Sequence, residues 1–121
     1  MSVERIPAWK TEMRELAPGI YAYIQAKGSW FTGNTGLIVG KKDNIVVDSL
    51  ANARMVGAFI TEIERISENP INHLINTHDH HDHRWTNHYF PDAKKICHAK
   101  CREETMKEID ADPNFFSQWF P

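Results

Sequence analysis

All seven histidines of this chain lie between His73 and His98. Within that stretch, His78-x-His80-x-Asp82-His83 brings together the residue types that hold metal ions. Side chains two residues apart on an extended segment point the same way, so His78 and His80 can grip one ion together. Asp82 and His83 follow where the chain begins to turn, and they can face a second position close to the first. Imidazole and carboxylate donors together suit Zn²⁺, and the same set accepts Fe or Mn. Two ions about 3.5–4 Å apart can share a bridging hydroxide, which is a nucleophile near neutral pH. The plain alternative is a solvated histidine-rich loop that chelates metal as an affinity tag does. Against it stands the position of the cluster, internal and directly after a strand-like run, where α/β folds carry their sites.

The elements that must position this cluster follow from the hydrophobic pattern. A short extended piece is expected around Met13–Leu16, and after the Pro18-Gly19 turn signal, Ile20–Ile24 reads as a strand. Lys27-Gly28-Ser29 breaks it, and Trp30-Phe31 fall in a loop flanked by glycines. Thr35–Gly40 and Asn44–Asp48 form a hairpin around Lys41-Lys42-Asp43, the second strand ending on a carboxylate. Met55, Val56, Phe59, Ile60, Ile63 and Ile66 recur on one helical face, so residues 51–67 are an amphipathic helix stopped by Asn69-Pro70. Ile71–Asn76 is a strand running straight into the histidines. A short helix through about Tyr89, a strand over 93–97 and a helix over 100–109 complete the reading. Strands, helix, strand, helix in that order define a layered α/β chain.

Composition limits the partners. Of the 121 residues, 41% are hydrophobic and 25% charged, and 14 basic residues against 16 acidic ones leave a formal charge of −2. Without a basic cluster, no nucleic-acid partner is expected. The apolar runs are far shorter than the roughly twenty residues a membrane-spanning helix needs. The first residues lack the basic and apolar regions of a signal peptide. Cys97 and Cys101 suit reduced thiols, so a cytoplasmic location is expected. Neither a glycine-rich phosphate loop nor a G-x-S-x-G nucleophile elbow is present.

With these residues in place, Thr77-His78-Asp79-His80-His81-Asp82-His83 resembles the T-H-x-H-x-D-H signature of the metallo-β-lactamase superfamily. Gly33–Val39 and Val46-Val47-Asp48-Ser49 are similar to the opening strands of that fold, and Asn87–Ala93 to its helix-to-strand passage. The resemblance covers roughly residues 13 to 105. It implies an αββα sandwich of which residues 1–121 supply the N-terminal half, a mixed sheet with helices on one face. His78 and His80 would bind the first metal, and Asp82 and His83 the second. Asp82 would also hold or deprotonate the bridging water. Asp48 would orient the motif loop through hydrogen bonds, its other reading being a strand-end turn carboxylate. Trp30 and Phe31 would flank the substrate cleft, unless they form a hydrophobic cluster at a hairpin tip or a partner contact.

The activity implied is hydrolysis by a metal-bound hydroxide of an ester, thioester, lactone, amide or similar bond in a small-molecule substrate, with a dinuclear Zn²⁺ site. The alternatives are a non-haem iron oxidoreductase of the same fold and a non-catalytic half-domain subunit. Two departures from the pattern matter. Arg84-Trp85-Thr86 follow His83 where small residues are usual, and Arg84 could meet an anionic substrate group or simply stand in solvent. The family completes its site with a further His, a bridging Asp and a last His, and none has a counterpart before Pro121. His88 and His98 follow the motif too closely, and Asp110 and Asp112 lack ligand context. A half sandwich also bares a sheet face, at about 25 cal/mol per Å² of exposed apolar surface. The aromatic tail, with Phe115, Phe116, Trp119 and Phe120, fits the same picture. A complementary polypeptide or an oligomer partner is therefore expected, and little activity from the lone chain. Cys97-x₃-Cys101 around His98 could form a third metal site. The competing reading packs Cys97 as a small apolar residue at a strand end, with Cys101 on a helix and the charges of 100–108 on a solvated face.

Overall fold

The first four strands each turn back on the one before, and the last two run parallel. In the computed structural model, which describes residues 10–26 and 31–109, β1 (Glu12–Ala17), β2 (Ile20–Ile24), β3 (Thr35–Val39), β4 (Asn44–Val47), β5 (Ile71–Ile75) and β6 (Lys94–Ile96) form one sheet in the order β1-β2-β3-β4-β5-β6. β1 to β4 pair antiparallel, and β4-β5-β6 pair parallel. Parallel pairing of β4 and β5 requires a crossover, supplied by α1 (Ala53–Ile66). Trp30, Asp110, Asp112 and the aromatic tail lie outside the described residues, as does the N-terminal stretch. No helix among the described residues is long and apolar enough to cross a membrane.

Register sorts the strands into two faces. Tyr21, Leu37, Val46 and Leu74 are cross-strand neighbours and share one face. Against it α1 buries Val56, Phe59 and Ile63, the apolar stripe read from the periodicity. Phe59 anchors the layer, its ring 5.2 Å from Tyr23 and 6.5 Å from Phe90. Tyr23, Leu37, Val46, Leu50, Leu74, Phe90 and Ala93 complete the core. The opposite face carries Ala22, Ile24, Ile38, Ile45, Val47 and Ile75, all only half-buried, with Ile20 and Ile96 exposed.

The helix begins and ends where its chemistry requires. The Asn52 side chain accepts a hydrogen bond from the Met55 N–H at 3.0 Å, capping donors that the first turn leaves unpaired. It closes on Ile66, and the Ser67 N–H donates to the Ile63 carbonyl at 2.9 Å. The next strand is tied back by Asn44, fully buried, whose side chain donates to the Asn69 carbonyl and accepts from the Ser67 hydroxyl. After β5 the structure departs from the expected short helix. Two 3-10 turns, His81–His83 and Asn87–Tyr89, take its place, each too short to bury a face of its own. α2 spans Ala99–Ile109. His98 caps it, its Nδ1 accepting from the Lys100 N–H at 3.1 Å.

Candidate metal centre

β4 and β5 both end at the same edge of the fold, and the segments leaving them form the site. Asp48, directly after β4, has φ of 62°, a left-handed conformation that short polar residues tolerate better than bulky ones. Its backbone is pinned there, the N–H donating to the Ile75 carbonyl at 2.8 Å and the carbonyl accepting from the Thr35 hydroxyl. The side chain therefore faces the residues leaving β5. Its Oδ1 accepts from the Thr77 N–H at 2.7 Å, and its Oδ2 accepts from the Thr77 hydroxyl at 2.7 Å. His83 Nδ1 lies 2.9 Å from the same Oδ2. Of the two readings of Asp48, orientation of the motif loop is the one that these hydrogen bonds express.

The hydrogen-bond chain also determines which imidazole nitrogens are free. Thr77 has one hydroxyl hydrogen, given to Asp48. Its oxygen then accepts from His78 Nδ1, 2.8 Å away. His83 Nδ1 likewise donates to Asp48. In their neutral forms both rings are thus Nδ1–H tautomers, with the Nε2 lone pairs available to a ligand. Asp48, His78 and His83 each present a ligand-type atom, all within 4.8 Å of one another. With its oxygens already receiving three donors, Asp48 acts as the holder of this group.

The other two donors stand beside it. The rings of His78 and His80 meet edge to face with centroids 4.8 Å apart, and those of His78 and His83 are 4.2 Å apart. Asp82 Oδ2 lies 3.5 Å from His83 Nε2. The structure thus brings His78, His80, Asp82 and His83 into one cluster, with His80 exposed and the others half-buried. A cavity of about 300 Å³ lined by Phe31, His80, His81 and Asp82 opens beside it. Gly33 backs the cluster. A Cβ there would stand 3.3 Å from the Asp82 carbonyl oxygen and 3.6 Å from His83 Cε1. Among the described residues the group whose ligand-type atoms come within reach of one ion is Asp48, His78 and His83; His80 and Asp82 border it outside that group, and imidazole with carboxylate is a donor set that suits a divalent cation.

A polar floor supports the loop from below. The His83 carbonyl accepts from the Ser49 N–H and from Asn76 Nδ2, both at 2.9 Å. Asn76 and Asn87 bond each other through both amides, and the Ser49 hydroxyl donates to Asn87 Oδ1 at 2.8 Å. Thr86, buried, exchanges bonds with both the N–H and the carbonyl of Leu50. Such groups are costly to bury unpaired, so the network fixes one loop conformation. The roles of Thr77, Asn76 and Asn87 are not marked by residue type alone. The nearest signal is a run of small polar residues on both sides of a histidine motif.

Two expectations for flanking residues are corrected. Arg84 neither stands in solvent nor offers its charge to an anionic group. Its Nε donates to the Asp79 carbonyl at 2.6 Å and its Nη2 pairs with Glu108. Burial lowers its pKa, and burial, followed by the nearby Arg84 charge, also lowers that of His81. Cys97 is exposed rather than packed at the strand end, because β6 stops at Ile96. Cys101 lies on α2, the helix expected for it, and is buried there; burial with the neighbouring Cys97 raises its thiol pKa. Among the described residues Cys97, His98 and Cys101 form no metal-holding group of three, and His98 serves as a helix cap. Phe31 does border the cavity, with φ of 61° and its ring stacked on Trp85 at 6.1 Å.

A sequence model of the metallo-β-lactamase superfamily matches residues 28–118, most of the chain, and the protein belongs to that superfamily. Solved metallo-β-lactamases share its fold. The enzyme from Hirschia baltica superposes with a TM-score of 0.64 at 16% identity, over 80% of this chain and 47% of that one. The Erythrobacter litoralis enzyme gives 0.63 at 18% identity, over 79% and 45%. One from Pseudomonas aeruginosa, in a mono-zinc form, gives 0.64 at 15% identity, again over 79% and 45%. The chain therefore spans about half the length of the structures it matches. No curated protein matches it.

Proposed function

We propose that the chain is the N-terminal half of a metal-dependent hydrolase, with His78, His80, Asp82 and His83 as its share of the metal ligands. The observation that carries this reading is the Asp48–Thr77 relay, which engages the Nδ1 atoms of His78 and His83 and keeps the Nε2 atoms of these neighbouring rings out of its hydrogen bonds. His78 and His80 would hold one Zn²⁺, and Asp82 with His83 a second. The metal supplies Lewis acidity and a nucleophilic water near neutral pH. Asp82 is the base of the site. Its carboxylate can accept a proton from a water held beside it and keep that water aimed into the Phe31-lined cavity. Asp48 and Thr77 keep the rings from turning. Esters, thioesters, lactones and amides are the substrate classes this chemistry serves.

Four donors shared between two ions leave each ion short of the three or four protein ligands that zinc takes. Two further observations support a complementary half or oligomer partner: the chain aligns with only about half of its structural relatives, and one sheet face is only half-buried. The free thiols Cys97 and Cys101 suit the reducing cytoplasm that the proposal includes.

The test is metal analysis of the purified chain, followed by turnover of a panel of activated esters, thioesters and lactones with and without a completing half. Zinc in the protein, and hydrolysis that appears only when the site is completed, is the expected result. Iron with oxygen-dependent turnover, or a chain that takes up no metal at all, overturns it.

A further inference from the structure

The outer wall of the histidine loop carries a second set of polar contacts that the proposed chemistry does not use. Arg84 reaches back to the Asp79 carbonyl and outward to α2, where its Nη2 meets Glu108 Oε2. The same Glu108 oxygen lies 2.7 Å from His81 Nε2. The His81 ring tilts against Trp85 at 4.7 Å, and Trp85 stacks on Phe31. One carboxylate in the last turn of α2 thus holds two residues of the loop, and through Arg84 it also reaches the start of the loop at Asp79.

The anchored residues interleave with the donors. His80 stands between Asp79 and His81, and Asp82 between His81 and Arg84. Asp48 makes its hydrogen bonds to Thr77 and His83 and none to His80 or Asp82, so the relay leaves those two unsecured. Arg84 is only 13% exposed, and a guanidinium withdrawn from water needs an acceptor. Deprived of Glu108, it would swing toward solvent and release the Asp79 carbonyl as well.

We propose that Glu108 is a positioning residue of the metal centre, holding Arg84 and His81 so that His80 and Asp82 stand at the right reach from His78 and His83. This inference rests on the metal-centre reading above, but its test separates the two. Glu108→Ala, Glu108→Gln and the control Glu104→Ala are compared with the unaltered chain. Glu104 is suitable because it pairs with Lys107 on the exposed side of the same helix.

Amide hydrogen exchange is followed first, without metal. Glu108→Ala is expected to speed exchange at residues 79–86 roughly tenfold, the scale of a lost charge-assisted bond, and to leave β3 and β4 unchanged. Exchange that rises only along α2 would mean a merely structural role and overturns the proposal. Zn²⁺ calorimetry and the Co²⁺ absorption spectrum come second. Affinity should fall roughly ten- to a hundredfold in Glu108→Ala, as for other partners that orient ligands. Glu108→Gln, whose amide oxygen can still accept from both residues, should recover most of the protection, and Glu104→Ala should match the unaltered chain. If the unaltered chain binds no metal, the metal-centre reading fails and exchange alone decides the role of Glu108. If Glu108→Ala binds metal and exchanges like the unaltered chain, the positioning role is wrong and the metal centre stands.

Discussion

Asp48 and Glu108 hold the same loop by different residues, Thr77 and His83 for the first, His81 and Arg84 for the second, and they do so in different ways. The Asp48 side chain is 6% exposed, sits on a strained backbone at the end of β4, and takes three donors. Glu108 is 30% exposed, rides on the last turn of a helix, and takes its contacts through a single oxygen. A charge paired in the interior is costly to disturb, whereas a half-exposed pair is weakened by water and salt. The sheet side therefore dictates ring tautomers and orientation, and the helix side adjusts reach. Precision comes from the buried anchor, and tolerance from the exposed one.

The largest expected effect lies at the centre of the comparison. His83→Ala removes a donor and also the ring that Asp48 holds, so Zn²⁺ binding by the chain should be lost in calorimetry while the circular dichroism of the fold persists. Unchanged binding would make the relay irrelevant to metal. Next comes Asp48→Asn, which keeps the tolerance for a left-handed backbone but sets an amide N–H against groups that are themselves donors. Metal affinity should drop roughly ten- to a hundredfold. Urea unfolding should show a loss of about 1.5–3 kcal/mol, as expected for bonds to a buried charge. If Glu108→Gln proves as damaging as Asp48→Asn, the contrast between the two anchors collapses.

Gly33→Ala probes the close approach of the Gly33 backbone to Asp82 and His83. Its methyl crowds the Asp82 carbonyl and the His83 ring, and a cost of about 1 kcal/mol in stability is expected, the low end for overpacking, with a few-fold loss of metal affinity. Asn52→Ala is the smallest and serves as a reference remote from the loop. It should lower thermal stability by about 1 kcal/mol through the lost helix cap and leave metal affinity unchanged.

Much of this architecture is legible in the sequence. The six apolar residues of α1 announce the helix and the face it buries, and the histidine spacing announces the cluster that gathers beyond β5. Asp48 could be singled out because it ends a buried strand. Its left-handed backbone could not, since that depends on hydrogen bonds to Thr35 and Ile75 from other strands. Glu108 was hidden for a related reason. It sits among Lys, Arg and Glu residues that do form a solvated face, and only the path of the chain brings it to Arg84, 24 residues earlier. Arg84 and Cys97 depart from expectation on the same grounds, because residue type predicts average exposure and tertiary contact decides the particular case. The expected short helix became two 3-10 turns because the loop is held by side-chain bonds to Ser49, Asn76 and Asn87 instead of by a continuous helical ladder.

Among the described residues β1 and β6 are the outermost strands of the sheet, the position at which a stray strand from another molecule could continue a ladder. The residues placed there discourage it. β1 carries Glu12, Arg14 and Glu15, and β6 is only three residues long and begins with Lys94 and Lys95. Charge at one rim, and brevity with charge at the other, act as gatekeepers against aggregation.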